Sequence, residues 1–133
     1  MKFTSRLLVI TALTSLLLTP GTFAATARTL TGEYISSFET GMQPLQAVFT
    51  AADGERWDVV FHFKFHGKKH SWEGHAEGSL DGGELRGQVQ NENGRRTFTF
   101  QGSFSDGEFR GTHAETKRTG ERRTGSLTLS EKG

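Results

Sequence analysis

Residues 57–80 form a stretch in which apolar and polar side chains alternate with a period of two. That period is typical of a β-strand with one buried and one exposed face. Gly67-Lys68 interrupts the alternation, so the stretch predicts a β-hairpin with a two-residue turn at that point. The cross-strand pairs expected in this register are Phe65 with His70, Phe63 with Trp72, and Phe61 with Gly74.

Turn signals recur along the rest of the chain at nearly constant spacing. Glycines at positions 54, 67, 82, 94, 107 and 120 are 12 to 15 residues apart, and four of them follow Asp or Asn. Asp-Gly and Asn-Gly turns between alternating segments predict successive hairpins, that is, a β-meander. The eight expected strands cover about residues 28–37, 44–51, 56–66, 69–80, 84–92, 95–104, 108–117 and 122–130.

The later turns also predict a register for their hairpins. The expected pairs are Leu80 with Leu85, Gly78 with Gly87, Val89 with Phe98, Gly87 with Phe100, Leu85 with Gly102, Phe104 with Phe109, Gly102 with Gly111, and Phe100 with His113.

Glycines recur in mid-strand on the predicted inner face, which is typical of strong coiling or of close approach between backbones. They are Gly32, Gly74, Gly78, Gly87, Gly102, Gly111 and Gly125. A strongly coiled sheet of eight antiparallel strands can close and lose its edges. The sequence therefore predicts an all-β, up-and-down meander that closes into a small soluble β-barrel, with strand 1 beside strand 8. An open rolled sheet or a two-layer β-sandwich is the alternative.

The same alternation would suit an outer-membrane barrel if the apolar face pointed outward. His113 and Glu115 would then face lipid, and two of the expected strands carry few apolar residues. A barrel with its apolar face inside is favoured for that reason.

The first 27 residues differ from the rest of the chain. Lys2 and Arg6 precede an uncharged apolar run at 7–18, and Pro20-Gly21 and several small residues follow. This order is typical of a secretory signal peptide, with cleavage after Ala24 or Ala27, and the run is shorter than the roughly 20 residues of a spanning helix. We expect a signal peptide at 1–27, one domain at 28–133, a secreted or periplasmic location and no membrane span after processing.

Removal of the signal peptide changes the charge balance. Without Lys2 and Arg6, 14 basic side chains face 15 acidic ones, so the mature net charge is −1 and does not favour a nucleic-acid partner. The chain has no Cys, so the domain must fold without disulfides even in an oxidising compartment.

Charge is segregated between the turns. In a meander, alternate turns lie at opposite ends of the barrel. One end then carries Asp53, Glu55, Asp81, Glu84, Asp106 and Glu108. The other carries Lys68, Lys69, Arg95, Arg96, Lys117, Arg118, Arg122 and Arg123, together with the loop 38–43. Solubility alone would explain charged turns, whereas segregation by end also allows a functional basic mouth.

An eight-stranded barrel interior is either filled by side chains or holds one small ligand. The inward aromatic residues are expected to be Phe49, Trp57, Phe61, Phe63, Trp72, Phe98, Phe100, Phe104 and Phe109. An apolar cavity with a cationic rim would suit an amphipathic anion. The residues predicted to bind it are Trp57, Phe61, Phe63, Phe65, His70, Trp72, Phe98, Phe100, His113, Lys68, Lys69, Arg95, Arg96, Arg118, Arg122 and Arg123.

Histidines offer two further possibilities. The predicted register places His62 opposite Glu73 on the outer face, with His75 diagonal to both, and such a set could bind zinc or copper. His113 and Glu115 share the inner face, where a buried polar group needs a partner, so a contact between them or a polar mouth is expected. Without a Cys nucleophile or a Ser in an identifiable motif, we expect no catalysis and no cofactor.

Ser71-Trp72-Glu73-Gly74-His75 resembles a Trp-containing strand of the avidin-type barrels over these five residues. The Gly-x-Trp opening typical of lipocalins is absent, and Gly32-Glu33-Tyr34 stands in its approximate place. Neither likeness assigns a family.

Two functions remain open from the sequence. The first is an exported barrel that binds a small amphipathic, anionic ligand. The second is a filled barrel that acts through its surface as an inhibitor or adhesion module, with a protein partner at the basic end.

Overall fold

Eight antiparallel strands form a closed barrel in which each strand pairs with the next and the last pairs with the first. The structure, a computed structural model, describes residues 26–36, 41–65 and 67–131. The strands are β1 (Ala27–Ser36), β2 (Gln43–Ala51), β3 (Arg56–Phe65), β4 (Lys68–Gly78), β5 (Gly83–Gln90), β6 (Arg96–Ser105), β7 (Glu108–Lys117) and β8 (Arg122–Ser130). The predicted meander, its strand count and its closure are confirmed. Residues 1–25 of the predicted signal peptide, and residues 37–40, which include the first part of the predicted loop 38–43, lie outside the described part.

The predicted registers of the β5–β6 and β6–β7 hairpins are confirmed. Val89 pairs with Phe98 across β5 and β6, and Phe104 pairs with Phe109 across β6 and β7. Asp106 and Gly107 both have positive φ, as a tight hairpin turn requires.

The predicted register of the earlier hairpin β3–β4 is wrong by two residues. Phe65 pairs with Lys68, Phe63 with His70 and Phe61 with Trp72. Gly67, with φ of 77°, is the second of the two turn residues, whereas the prediction made it the first. A shift of two residues leaves every side chain on the same face, so the alternation could not distinguish the two registers.

The predicted register of β4–β5 is wrong in the same way. Gly78 pairs with Leu85 and Ala76 with Gly87, because β4 ends at Gly78 and a longer turn follows. In that turn the Ser79 hydroxyl accepts a hydrogen bond from the Asp81 amide at 3.0 Å. Leu80 leaves the strand but is still only 3% exposed, so it covers this end of the core.

The barrel interior is one apolar cluster. All nine aromatic residues predicted to face inward belong to it, with Trp57 and Phe63 at its partly buried margin. Between them lie aliphatic side chains such as Leu30, Val89 and Leu127, each 0–1% exposed. Burial of this apolar surface is the main force that holds the sheet closed.

Mid-strand glycines allow the tight coiling that closes so small a barrel. A Cβ atom at Gly74 would lie 1.8 Å from the main-chain oxygen of Gln88, and one at Gly125 would lie 1.7 Å from that of Ile35. No side chain tolerates such approach, so glycine is required at these points. The predicted close approach of backbones is confirmed.

Side-chain contacts also tie β1 to other parts of the barrel at its two ends. Arg28 hydrogen-bonds the carboxylates of Glu131, just beyond β8, and of Asp81 in the β4–β5 turn, at 2.5–3.0 Å. At the other end, His113 of β7 reaches the carbonyl oxygen of Ile35 at 2.7 Å. In the described part of the chain, no helix has the length and apolarity that crossing a membrane would need.

Candidate binding site at the basic end

The meander brings the turns β3–β4, β5–β6 and β7–β8 together at one end of the barrel. We call this the basic end, and it carries Lys68, Lys69, Arg95, Arg96, Lys117, Arg118, Arg122 and Arg123. The described carboxylates among these turns and the adjoining strand ends are Glu92, Glu115 and Glu121. Positive charge is therefore in excess here.

Some of the cations are neutralised by these carboxylates. Glu121 accepts hydrogen bonds from Arg123 at 2.7 Å and lies 3.3 Å from the Lys117 ammonium. The hydrogen bonds from Arg123, and then Lys117, hold the pKa of Glu121 below its usual value. Arg96 contacts Glu115 at 3.4 Å.

Other cations have no such partner. Within the described part of the chain, no carboxylate lies in ion-pair distance of five side chains at this end. They are Lys68, Lys69, Arg95, Arg118 and Arg122. Uncompensated positive charge concentrated at one end attracts anions and raises their local concentration.

An open cleft of about 680 Å³ lies between the start of β4 and the β5–β6 turn. It exists because β5 ends at Gln90, opposite Glu73, while β4 begins five residues earlier, at Lys68. Residues 68–72 therefore have a strand partner on β3 only. The cleft is lined by Lys69, His70, Ser71, Trp72, Asn91, Glu92, Asn93, Arg95 and Arg96.

The β5–β6 turn holds one wall of this cleft in place. The side-chain oxygen of Asn91 accepts a hydrogen bond from the Arg96 amide at 3.1 Å, and that of Asn93 accepts one from the Arg95 amide at 2.9 Å. These bonds fix the backbone from which Arg95 projects. The sequence marked Asn93-Gly94 only as a turn, and the role of Asn91 and Asn93 in the cleft wall was missed.

Aromatic rings form the apolar part of the cleft. His70 stacks on Phe63 with ring centroids 5.5 Å apart, and Trp72 meets Phe63 edge to face at 5.3 Å. The Trp72 side chain is only 8% exposed. The cleft therefore reaches the edge of the apolar core, where little of the indole is accessible. Cations thus stand beside an apolar surface.

The expected contact between His113 and Glu115 is not formed. The imidazole of His113 stacks on Phe98 at 4.5 Å and bonds Ile35 instead, while Glu115 takes Arg96 as its partner. Burial, opposed in part by the bond to Ile35, lowers the pKa of His113. The inner rim of the basic end is polar, as the sequence predicted.

Phe61, Phe98 and Phe100, predicted to line a cavity, pack against one another. The Phe61 ring lies 5.6 Å from Phe98 and 5.1 Å from Phe100, centroid to centroid. Trp57 lies at the opposite end, where its indole donates to the Gly78 carbonyl at 2.9 Å. The predicted ligand residues therefore fall into two groups, one packed in the interior and one at the cationic end. The side chain of Phe65, also predicted to bind the ligand, lies outside the described part.

The predicted outer-face pairing of His62 with Glu73 is wrong, as a consequence of the two-residue shift between β3 and β4. His62 faces Ser71, with Nδ1 and Oγ 2.8 Å apart, and His75 faces Asp58, with Nδ1 and Oδ1 3.2 Å apart. Among the described side chains, no three His, Asp or Glu are grouped so as to hold a metal ion.

The geometry of the basic end combines uncompensated cations, an open cleft and the edge of an aromatic core. Comparison of the chain with models of known protein families finds no match, and comparison with curated proteins finds none either.

Proposed function

We propose that this protein is an exported β-barrel that binds an amphipathic anion in the cleft at its basic end. The observation that carries the proposal is the cleft itself, where Lys69 and Arg95, with which no described carboxylate pairs, stand beside the edges of His70 and Trp72. An anionic head group would meet the two cations, and an apolar tail would cover the ring edges.

The cleft is better suited to this role than the centre of the barrel. The interior rings are in van der Waals contact with one another, so a ligand there would have to displace Phe61 or Phe98. Opening a packed core costs several kcal/mol, of order 3–5 for the loss of one large ring's contacts. A ligand at the start of β4 would displace no ring of the core.

The test is calorimetric titration with dodecanoate below its micellar concentration, with uncharged dodecyl maltoside as the matched neutral amphiphile. Lys69→Gln combined with Arg95→Gln should weaken dodecanoate binding about tenfold or more, since each charge-assisted contact contributes on the order of 1 kcal/mol. Arg56→Gln removes a cation from the opposite end and should leave affinity unchanged. Equal affinity in all three proteins would overturn the proposal.

A second candidate is favoured by the close packing of the described interior rings around Phe61. A barrel with such a core can act through its surface, with the basic end as the contact for an acidic partner protein. In that case the protein would fail to bind dodecanoate and would capture a macromolecule in a salt-sensitive manner. Crosslinking of the protein to its neighbours in the exported fraction distinguishes the two functions. A partner captured by the wild type and lost in the Arg95→Glu and Arg122→Glu variants would favour the second.

A further inference from the structure

A second cleft, of about 610 Å³, crosses the outer surface of β1 to β4 beside the basic end. Thr31, Gln46, His62 and Ser71 lie in it, and the register places them in one row. Thr31 pairs with Gln46, Gln46 with His62, and His62 with Ser71. Three interstrand spacings make this row about 14 Å long.

The row has the chemistry of a hydroxyl-binding surface. Two hydroxyls, an amide and an imidazole stand side by side. His62 Nδ1 and Ser71 Oγ lie 2.8 Å apart and bond each other, and each side chain has further donor or acceptor capacity. Gln46, His62 and Ser71 are exposed, although each belongs to a strand whose other face is core. A ligand that lies along the row would meet donors and acceptors at intervals of about 5 Å.

Two lysines border the row on the side of the basic end. Lys64 and Lys69 are direct cross-strand partners, so two positive side chains stand opposite each other. Like charges in that arrangement destabilise a hairpin. Neither makes an ion pair with a described residue, and Glu33, the carboxylate on the same border, lies two strands from Lys64. An anion bound between the two ammonium groups would remove the repulsion.

The two clefts are adjacent. Lys69, His70 and Ser71 line both, so the outer row leads past the start of β4 to Asn91–Arg96. The combined groove crosses four interstrand spacings, about 19 Å. Hydrogen-bonding groups line its outer half, and cations stand at its middle and at its inner end.

From this arrangement we infer that the groove also takes a second class of anion, an extended acidic oligosaccharide of about four sugar units, an inference that rests on the proposed anion site and extends it. Pyranose units repeat at about the interstrand spacing, so successive sugar hydroxyls can meet successive members of the row. Carboxylates of the chain meet Lys64, Lys69 and Arg95. The row presents hydrogen-bonding groups, and the Phe63 ring that also lines this cleft is only partly exposed, so hydrogen bonding outweighs stacking here and favours a sugar chain over single-stranded nucleic acid.

The test is titration of the mature protein with oligogalacturonates of two, four and six units, with neutral cello-oligosaccharides of equal length as controls. The tetramer should bind at least tenfold more tightly than the dimer, and the hexamer should add little. Lys64→Gln and Gln46→Ala should each weaken tetramer binding about threefold to tenfold, because both side chains lie in the outer cleft. Arg56→Gln, on the same strand as Lys64 but at the other end, should have no effect.

The outcomes separate this inference from the function on which it rests. If dodecanoate binds but the tetramer binds no better than the dimer, the extended groove is overturned and the anion cleft stands. If neither probe binds, both are overturned. A single-stranded DNA of equal charge that binds more tightly than the tetramer would overturn the sugar chain as the ligand.

Discussion

His113 and Ile35 join strands that are not neighbours: the imidazole on β7 crosses β8 and donates from Nε2 to the main-chain oxygen of Ile35 on β1, at 2.7 Å. A carbonyl oxygen can only accept, so Nε2 carries the proton and Nδ1 is the unprotonated nitrogen of the neutral ring. Among described atoms, Nδ1 is buried without a hydrogen-bond partner. The contact links β7 to β1 beside the β1–β8 pairing that closes the barrel.

Stability should therefore fall as the pH drops below about 6.5, the ordinary pKa of histidine. Burial lowers the folded-state pKa of His113. The unfolded chain then takes up a proton before the folded chain does, so this contribution is complete above 6.5 and is lost towards the folded-state pKa. Urea unfolding between pH 8 and pH 5 measures the loss.

The substitution that isolates this effect is His113→Gln, which keeps a donor for Ile35 and cannot be protonated. Its stability should lose the part of the pH dependence that His113 contributes. An NMR titration that finds the His113 pKa at or above 6.5 would contradict the prediction without the use of any variant.

Gly125 provides the space that His113 crosses. A Cβ atom there would lie 1.7 Å from the Ile35 oxygen and 2.7 Å from His113 Nε2. Gly125→Ala should therefore destabilise the fold by about 2–3 kcal/mol or more, because main-chain atoms of β1 would have to move. Chemical denaturation measures the change, with Ser126→Ala as the neighbouring control. A change below 0.5 kcal/mol, on the order of an ordinary surface substitution, would contradict the close approach.

We expect that replacing Lys69 raises the stability of the fold and weakens ligand binding. Lys69→Glu turns its repulsion with Lys64 into an attraction and should raise stability by about 0.5 kcal/mol. The same change places a carboxylate in the cleft and should abolish dodecanoate binding. Thermal unfolding and titration of one protein sample test both. A loss of stability together with retained binding would contradict this account of the basic end.

The start of β1 favours one of the two expected processing sites. The Ala51 amide donates to the Thr26 carbonyl at 3.1 Å, and Ala27 pairs with Thr50. Cleavage after Ala27 would remove both contacts and leave Arg28 at a new terminus. We predict cleavage after Ala24, so that the exported protein begins at Ala25. Intact mass and N-terminal sequencing test this, and a mature chain that begins at Arg28 would contradict it.

The fold could be predicted to this extent because its determinants are local. A period of two identifies the inner face of each strand, and Asp-Gly and Asn-Gly turns identify where strands end. Phe104 and Phe109 were paired correctly since a two-residue turn, Asp106-Gly107, separates the two strands. The register around Phe63 was predicted wrongly because Gly67 could occupy either position of the β3–β4 turn. The register around Leu80 was predicted wrongly because the β4–β5 turn is longer than expected.

The candidate site was predicted in part. Alternation of turns placed Lys69 and Arg95 at one end, as observed, since their position depends only on strand order. The row from Thr31 to Ser71 could not be predicted, because it requires the correct register across three hairpins at once, and β3–β4 was shifted by two residues.

What the sequence determined by itself is the strand pattern, the inner face and the closed meander, because side-chain alternation and turn chemistry act over a few residues. Only the tertiary structure decided the contact of His113 with Ile35, the free edge at the start of β4 and the alignment of His62 with Ser71. These depend on how far the sheet coils and where each strand ends relative to its neighbour. A two-residue shift changes such distances without changing which residues are buried, so the alternation contains no information about them.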